Sequence, residues 1–141
     1  MKRITISLLI ALVFFVPSAF AQTPSTAEEF FERGNRYFDN GDYDRAIADF
    51  TQAIKLNQNY ADAYSKRGSS YYLKSDYDRA IADFTQAIKL NPNYAEAYSL
   101  RGLAYEDKGD KRKAIADYEA SLRINPNDEN IKLFLELLRS R

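Results

Sequence analysis

Apolar residues between positions 42 and 57 recur with the spacing of one face of an α-helix. The stripe consists of Ala46, Ile47, Phe50, Ala53 and Ile54. This spacing predicts an amphipathic helix that buries the stripe. Asp42 stands where the helix would be capped, and Lys55 lies near the end at which a cation suits the helix dipole.

The same sixteen residues, DYDRAIADFTQAIKLN, begin at position 42 and again at position 76, which is 34 residues later. Aligned at this period, the chain divides into three units. The units cover residues 27–60, 61–94 and 95–128. Each first half carries a second apolar stripe, made in the first unit by Phe30, Gly34, Tyr37 and Phe38. The sequence therefore predicts six antiparallel helices and no strand, because stacked copies of a helix pair bury the faces that one pair leaves exposed.

Glycine marks two kinds of position in the repeat. Gly41 and Gly109 stand between the helices of their units, where a left-handed residue ends the first helix, and Ser75 fits the same place less easily. Other glycines recur inside the first helices, where each costs about 1 kcal/mol relative to alanine. They are Gly34, Gly68 and Gly102. Their recurrence indicates that a second helix passes close to the backbone there. The small residues expected to face them are Ala46, Ala80 and Ala114.

Residues 129–141 predict a terminal helix, spanning roughly Glu129 to Arg139, that covers the open face of the last unit. Its apolar stripe consists of Ile131, Phe134, Leu135 and Leu138. The residues expected to face water are Lys132, Glu136 and Arg139. Leu133 and Leu137 remain outside the stripe, and a second copy of the chain is one partner with which they would pair.

These residues together resemble the tetratricopeptide repeat family. The family pattern is a large residue, Gly and Tyr in the first helix, then Ala, an aromatic residue, Ala and a closing Pro. The second unit supplies every member as Tyr64, Gly68, Tyr71, Ala80, Phe84, Ala87 and Pro92. The resemblance covers residues 27–128 in three copies. The departures are Gln58 in place of Pro, Ser121 in place of the second Ala, and an Arg before each recurring Gly where the family often has Leu.

The resemblance implies an all-α, right-handed solenoid whose first helices line a concave groove that binds an extended peptide or a partner's helix. The residues expected to face this groove differ between units although the packing residues repeat. They are Glu28, Phe31, Asn35, Phe38, Asp62, Ser65, Ser69, Tyr72, Glu96, Ser99, Leu103 and Glu106. Such variation fits a binding face and also fits drift of an unconstrained surface. Phe38 and Tyr72 are the aromatic candidates for contact.

Some members of the family grip the carboxylate of a chaperone C-terminus with a clamp of Lys, Arg and Asn. The corresponding residues here are Phe31, Asn35, Lys66, Glu96 and Leu100. Only Asn35 matches, so this clamp is not expected. Glu28, Asp62 and Glu96 form an acidic row that would attract a basic partner. Because carboxylates in the first turn of a helix are favoured by about 0.3–1 kcal/mol each, the structural role is the expected one.

Each unit also contains an Arg and an Asp sixteen residues apart. The pairs are Arg33 with Asp49, Arg67 with Asp83, and Arg101 with Asp117. Burial of an unpaired charge is costly. We therefore expect each guanidinium to meet a carboxylate, within a unit or across to the next. The alternative is two independent solvated rows that recur because the units were copied.

The chain has no Cys and no His, which excludes disulfides, thiolate chemistry and the commonest general base and metal ligand. Carboxylates such as Asp42 and Asp44 are explained by helix capping, and the sequence contains no Gly-rich phosphate loop. Neither an enzyme, a cofactor nor a metal site is expected. The 20 basic and 20 acidic residues balance, so no strong field attracts nucleic acid.

The first 21 residues have the layout of a secretory signal peptide. A basic start precedes an apolar run over residues 4–16, Pro17 ends the run, and small residues in an A-x-A spacing lead to Ala21. The run is shorter than the about 20 residues that span a bilayer, which disfavours an uncleaved anchor. We expect cleavage after Ala21, a linker over residues 22–26, no stable membrane span afterwards, and a periplasmic or secreted product.

The sequence thus predicts a noncatalytic protein–protein interaction scaffold of the cell envelope that binds a peptide or partner helix in its groove. The alternative is a self-assembling structural module that forms homo-oligomers through the last helix. Molecular size measured against concentration distinguishes the two.

Overall fold

The computed structural model describes residues 23–141, so the predicted signal peptide lies outside the described residues. This part of the chain folds into seven α-helices and contains no strand. The helices are α1 (Ala27–Asp39), α2 (Tyr43–Leu56), α3 (Ala61–Leu73), α4 (Tyr77–Leu90), α5 (Ala95–Asp107), α6 (Lys111–Ile124) and α7 (Glu129–Ser140). The first helices of the three repeats begin at the first residue of each 34-residue unit, and the prediction of an all-α solenoid is confirmed.

The helix ends follow the local sequence. Asp42, the N-cap of α2, accepts a hydrogen bond from the backbone N–H of Arg45, and α4, α6 and α7 are capped by aspartate in the same way. Gly41 and Gly109 take positive φ angles of 76° and 84° after α1 and α5. Ser75 takes the same left-handed conformation at φ 60°, although it carries a side chain.

The helices stack in chain order, and their contacts show which side is the inner one. The two helices of each repeat pack most extensively, and the second helix of each repeat then packs on the first helix of the next repeat, or on α7. Among the described helices, α1 also contacts α3, and α3 contacts α5, whereas the second helices do not approach one another in this way. The first helices therefore line the inner, concave side of the stack.

A buried aromatic ring fills each crossing between the two helices of a repeat. Phe50, Phe84 and Tyr118 are fully buried. A Cβ atom added to Gly68 would lie 3.0 Å from the Phe84 ring and 3.3 Å from the carbonyl oxygen of Ala80. The close approach predicted at the recurring glycines is confirmed. The carbonyl oxygens of Ala80 and Ala114 face Gly68 and Gly102 as expected, and the nearest group is the aromatic ring, which the sequence analysis did not name.

The predicted Arg–Asp pairs form within each repeat, and two of the arginines also bind a threonine of the preceding repeat. Arg67 donates from Nε and Nη2 to the two carboxylate oxygens of Asp83, at 2.7 and 2.8 Å. Its Nη1 donates to Thr51 of the preceding repeat at 3.1 Å. Arg101 makes the same contacts one repeat later, to Asp117 and Thr85. Arg33 donates hydrogen bonds to Asp49 but to no threonine among the described residues. Its side chain is 34% exposed, compared with 18% for the side chain of Arg67.

The two ends of the stack are closed differently. Ala63 and Ala97 are buried against the preceding repeat, whereas the equivalent residue of the first repeat is the exposed Glu29. A polar outer face suits a terminal repeat. At the other end α7 packs on α6 and buries Ile131, Leu135 and Leu138.

Phe134 does not belong to the buried stripe of α7, contrary to the sequence prediction. It is 39% exposed, and it lines a surface cavity with Leu103 and Glu106 of α5 while its ring centroid lies 6.3 Å from that of Tyr118 on α6. The residues predicted to face water, Lys132, Glu136 and Arg139, are exposed.

Candidate functional site

The groove is the inner surface lined by α1, α3, α5 and the adjoining face of α7. Of the twelve residues predicted to face it, the acidic row of Glu28, Asp62 and Glu96 is exposed in the first turns of the first helices. Eight are half-buried, namely Phe31, Asn35, Phe38, Ser69, Tyr72, Ser99, Leu103 and Glu106. Ser65 is buried.

Tyrosines at the start of the following repeat cover part of the groove. The Tyr60 ring lies 4.8 Å from the Phe31 ring, centroid to centroid, and burial raises the pKa of the Tyr60 hydroxyl. One repeat later, the Tyr94 hydroxyl donates to Asp62 at 2.8 Å and lies beside Ser65. Ser65 is only 4% exposed beside this tyrosine.

The third repeat lacks this cover. Asp128 stands where the first two repeats have Tyr60 and Tyr94, and its side chain caps α7 by accepting from the Ile131 N–H. Ser99, the counterpart of Ser65, remains half-buried and donates its hydroxyl to the Glu96 carbonyl. The groove is therefore more open near its C-terminal end.

The two aromatic candidates for contact are both held by neighbouring side chains. The Phe38 ring packs at 5.6 Å from Tyr43, and the ammonium group of Lys66 lies 5.4 Å from its centroid. The Tyr72 ring packs on Tyr77, and its hydroxyl donates to Asp107 at 2.6 Å. Both rings present fixed rather than freely rotating surfaces to the groove.

Asn35 contributes an amide to the floor of the groove. Its Oδ1 atom is buried and accepts no hydrogen bond from the described residues. Since a buried polar atom without a partner is costly, this carboxamide is suited to rearrange toward an added donor such as a peptide N–H.

A pocket of about 240 Å³ closes the C-terminal end of the groove, between α5 and α7. Its lining consists of Leu103, Glu106, Asp107, Phe134, Leu137 and Arg141. Sequence reasoning named only Leu103 and Glu106 as site residues here. The missed signal was the repeat period itself, because Leu137 stands 34 residues after Leu103 and Leu133 stands 34 after Ser99.

Tyrosine hydroxyls orient the two carboxylates of this pocket. Tyr118 donates to Glu106 Oε2 at 2.9 Å, and Tyr72 donates to Asp107 Oδ2. Burial, and next the hydrogen bond to the carboxylate, raise the pKa of both hydroxyls well above the usual value. The tyrosines stay protonated donors at neutral pH, and Asp107 keeps its other oxygen for a further partner. Arg141 Nη1 lies 3.6 Å from Glu106 Oε1.

Between residues 23 and 141 no three acidic, His or Cys side chains come together in a way that could hold a metal ion. None of the seven helices has the length and apolar character needed to cross a membrane.

Similarity to known proteins agrees with this architecture. A family model described as TPR repeat matches residues 34–75 and 68–109, and one described as tetratricopeptide repeat matches residues 95–128. No curated protein matches the chain significantly.

Several solved structures have the same fold. The first TPR of Spaghetti (RPAP3), bound to the HSP90 peptide SRMEEVD, is 30% identical over 82% of this chain and 91% of its own, with a TM-score of 0.80. The second TPR domain of human RPAP3, in complex with the HSP70 peptide SGPTIEEVD, is 30% identical over 82% of this chain and 96% of its own, with a TM-score of 0.78. The crystal structure of MamA gives 31% identity over 81% of this chain and 67% of its own, with a TM-score of 0.79. With three tandem helix pairs, the repeated glycine–aromatic crossing and family matches over most of its length, the chain belongs to the tetratricopeptide repeat family.

Proposed function

We propose that this protein is a noncatalytic interaction scaffold of the cell envelope that binds a peptide or partner helix in the groove. The proposal rests on the positions at which the helix sequences of the first two repeats differ. Their second helices, α2 and α4, are identical over all 14 residues, including exposed positions such as Ala48 and Ala82. Their first helices, α1 and α3, differ at the groove positions while keeping the Arg–Gly pair.

Unconstrained drift would have altered the exposed residues of α2 and α4 as well. Between the first two repeats the helical differences fall in the helices that line the groove, as selection for a particular partner would produce on a copied scaffold, whereas α6 of the third repeat differs from α4 at ten of fourteen positions. The peptides bound by the first TPR of Spaghetti and the second TPR domain of human RPAP3 support the same role for this groove. The expected partner is a protein or peptide. The envelope location rests on the signal-peptide layout of residues 1–21.

A peptide display library screened against the purified protein tests the proposal. Ser69→Leu places a bulky side chain on the groove floor, and Ala82→Leu places the same side chain on the exposed outer surface of α4 in the same repeat. Selected peptides should bind the Ala82→Leu variant as tightly as the original protein and the Ser69→Leu variant at least about tenfold more weakly, a loss of about 1.4 kcal/mol. Equal binding to both variants, or no selectable binder, would contradict peptide recognition by the groove.

A further inference from the structure

We propose that the C-terminal end of the groove is a docking pocket for a basic segment of a partner protein, anchored by one large apolar side chain. The pocket is the cavity between α5 and α7 described above, and the inference rests on the proposed function of the groove. Three independent features of the structure lead to this assignment: the placement of the apolar residues on α7, the openness of the third repeat, and the distribution of charge.

Three large apolar residues of α7 are exposed, and two of them, Phe134 and Leu137, line the pocket. Leu133, Phe134 and Leu137 are 52%, 39% and 44% exposed. Lys132, Glu136 and Arg139 stand 34 positions after Tyr98, Gly102 and Tyr105. In a further repeat, residues at these three positions would pack against the second helix. These three positions are polar and exposed in α7, where no second helix follows in the described chain. The exposed leucines therefore do not belong to the face of α7 that a second helix of a further repeat would cover.

The pocket can admit a side chain from the groove. The first two repeats place Tyr60 and Tyr94 over their groove residues, whereas Asp128 leaves Ser99 uncovered. A cavity of about 240 Å³ then lies open between Leu103 and Leu137. Because removal of apolar surface from water is favourable, a leucine or phenylalanine side chain entering this cavity would anchor a partner in the groove.

Charge on the groove selects a cationic partner. Five carboxylates face it, namely Glu28, Asp62, Glu96, Glu106 and Asp107. Three cations lie near them: Lys66 is held over the Phe38 ring, the Arg141 guanidinium lies beside Glu106, and Arg36 lines a surface depression together with Glu28. At the pocket the carboxylates are held in place by Tyr118 and Tyr72, so a lysine or arginine flanking the anchor meets oriented acceptors.

The inferred partner is opposite in charge to the peptides SRMEEVD and SGPTIEEVD, which are bound in the solved RPAP3 structures. An acidic peptide entering this groove would meet Glu96 and Asp107. Like charges in contact across an interface are strongly unfavourable. The groove should therefore discriminate against acidic segments as well as favour basic ones.

The test measures binding of three synthetic peptides to the full chain by calorimetry. The first is a lysine- and arginine-rich 12-residue peptide with one central phenylalanine, the second has alanine in place of the phenylalanine, and the third is SRMEEVD. The first should bind at least about tenfold more tightly than either of the others. Equal or tighter binding of the acidic peptide would overturn the charge assignment, and equal binding of the alanine peptide would overturn the anchor.

Matched variants locate the site. Leu137→Ser should weaken binding of the first peptide at least about tenfold, whereas Leu56→Ser changes another exposed leucine, on α2, and should leave the binding unaltered. Asp107→Asn keeps an acceptor for Tyr72 and removes one charge, and it should weaken binding about two- to fivefold at low salt. Glu136→Gln removes a charge from the opposite face of α7 as its control. Unchanged affinity in Leu137→Ser would show that the pocket is not the docking site.

Sedimentation of the free protein across a range of concentrations tests whether a second copy of the chain, rather than a partner protein, occupies the pocket. A dimer that Leu137→Ser dissociates and Leu56→Ser preserves would show that a second copy covers the pocket, which overturns the partner named here. If display-selected peptides lose affinity in Ser69→Leu but not in Leu137→Ser, the groove function stands and only the pocket assignment fails. If no peptide depends on either residue, both fail.

Discussion

Gly68 and Ser69 are neighbours in sequence and have opposite surroundings. Gly68 lies at the crossing of α3 and α4, with no room for a Cβ atom between its backbone and the Phe84 ring, which is fully buried. Ser69 points toward the groove and is half-buried, and its hydroxyl donates a hydrogen bond to the Ser65 carbonyl. One helical step of about 100° therefore separates a packing position from a recognition position.

Gly68→Leu should damage stability far more than Ser69→Leu. The first forces a bulky side chain against a ring that cannot move, and overpacking of this kind costs about 1–3 kcal/mol or more. The second adds apolar surface at the edge of solvent, where substitutions change stability by about 0.5 kcal/mol or less. Urea denaturation of the two variants measures the difference. Equal losses would mean that the faces of α3 are wrongly assigned.

The Arg67–Asp83 pair should show measurable coupling. Its two hydrogen bonds are short, the carboxylate is buried, and Arg67 also holds Thr51 of the preceding repeat. A double-mutant cycle with Arg67→Leu and Asp83→Asn is expected to give a coupling of about 0.5–3 kcal/mol. The Arg33–Asp49 pair, whose arginine is more exposed, should give less, and Arg67 with Asp49 should give none. Additive losses for Arg67 and Asp83 would contradict a structural role for the pair.

At the scale of the elements, the turn between the two helices of a repeat requires one residue with a left-handed backbone conformation, and the residue type at that position affects stability. Gly41 and Gly109 occupy the left-handed position at no steric cost, and a Cβ atom added to either would touch nothing. Ser75 occupies it in the second repeat with a side chain. The conformation is thus imposed on Ser75 by the packing of α3 and α4 rather than chosen by its own preference.

Ser75→Gly should stabilise the protein. The left-handed conformation costs a residue with a side chain roughly 1–2 kcal/mol, and part of this gain is offset because glycine loses more conformational freedom on folding. The expected net gain is roughly 0.5–1 kcal/mol, and Gly41→Ser should give a loss of similar size. Thermal unfolding of both variants tests this. A loss of stability in Ser75→Gly would show that the serine side chain makes a favourable contact.

At the scale of the whole molecule, protonated tyrosines join neighbouring repeats and, in the third repeat, its two helices. Tyr72 joins α3 to α5 through Asp107, and Tyr94 joins the start of α5 to Asp62 of α3. Tyr118 joins α6 to Glu106 of α5. Burial is the main cause that raises the pKa of all three hydroxyls above the usual value, followed by the hydrogen bond to the carboxylate.

These shifts predict alkaline destabilisation. In the unfolded chain the tyrosines ionise near pH 10, whereas the folded chain keeps them protonated to higher pH. Their contribution to stability is fully present below about pH 10 and is lost as the pH rises through the raised pKa values. The free energy of unfolding should therefore be flat from pH 7 to 9 and fall above pH 10, with a shallower fall in Tyr94→Phe. A stability that stays constant up to pH 12 would contradict these contacts.

The exported form of the whole chain is expected to begin at Gln22. N-terminal sequencing of the protein recovered from the envelope or the medium tests cleavage after Ala21. Recovery of the chain with Met1 intact in a membrane fraction would favour the anchor instead.

The sequence by itself determined the elements, their order and the contacts that repeat. The 34-residue period located α1 to α6, the recurring glycines marked the helix crossings, and the paired Arg and Asp residues foretold the ion pairs. These features follow from local spacing, because a residue that recurs in register meets the same neighbour in every repeat.

The tertiary structure alone decided which groove residues are open. Ser65 is covered because Tyr94, from the next repeat, lies beside it, and Phe134 is 39% exposed where α7 faces α5 across the pocket. Both outcomes depend on how one repeat sits against the next, over distances that periodicity does not encode. The pocket between α5 and α7 arises in the same way, where the repeat ends and residues from two elements face each other without a copied precedent.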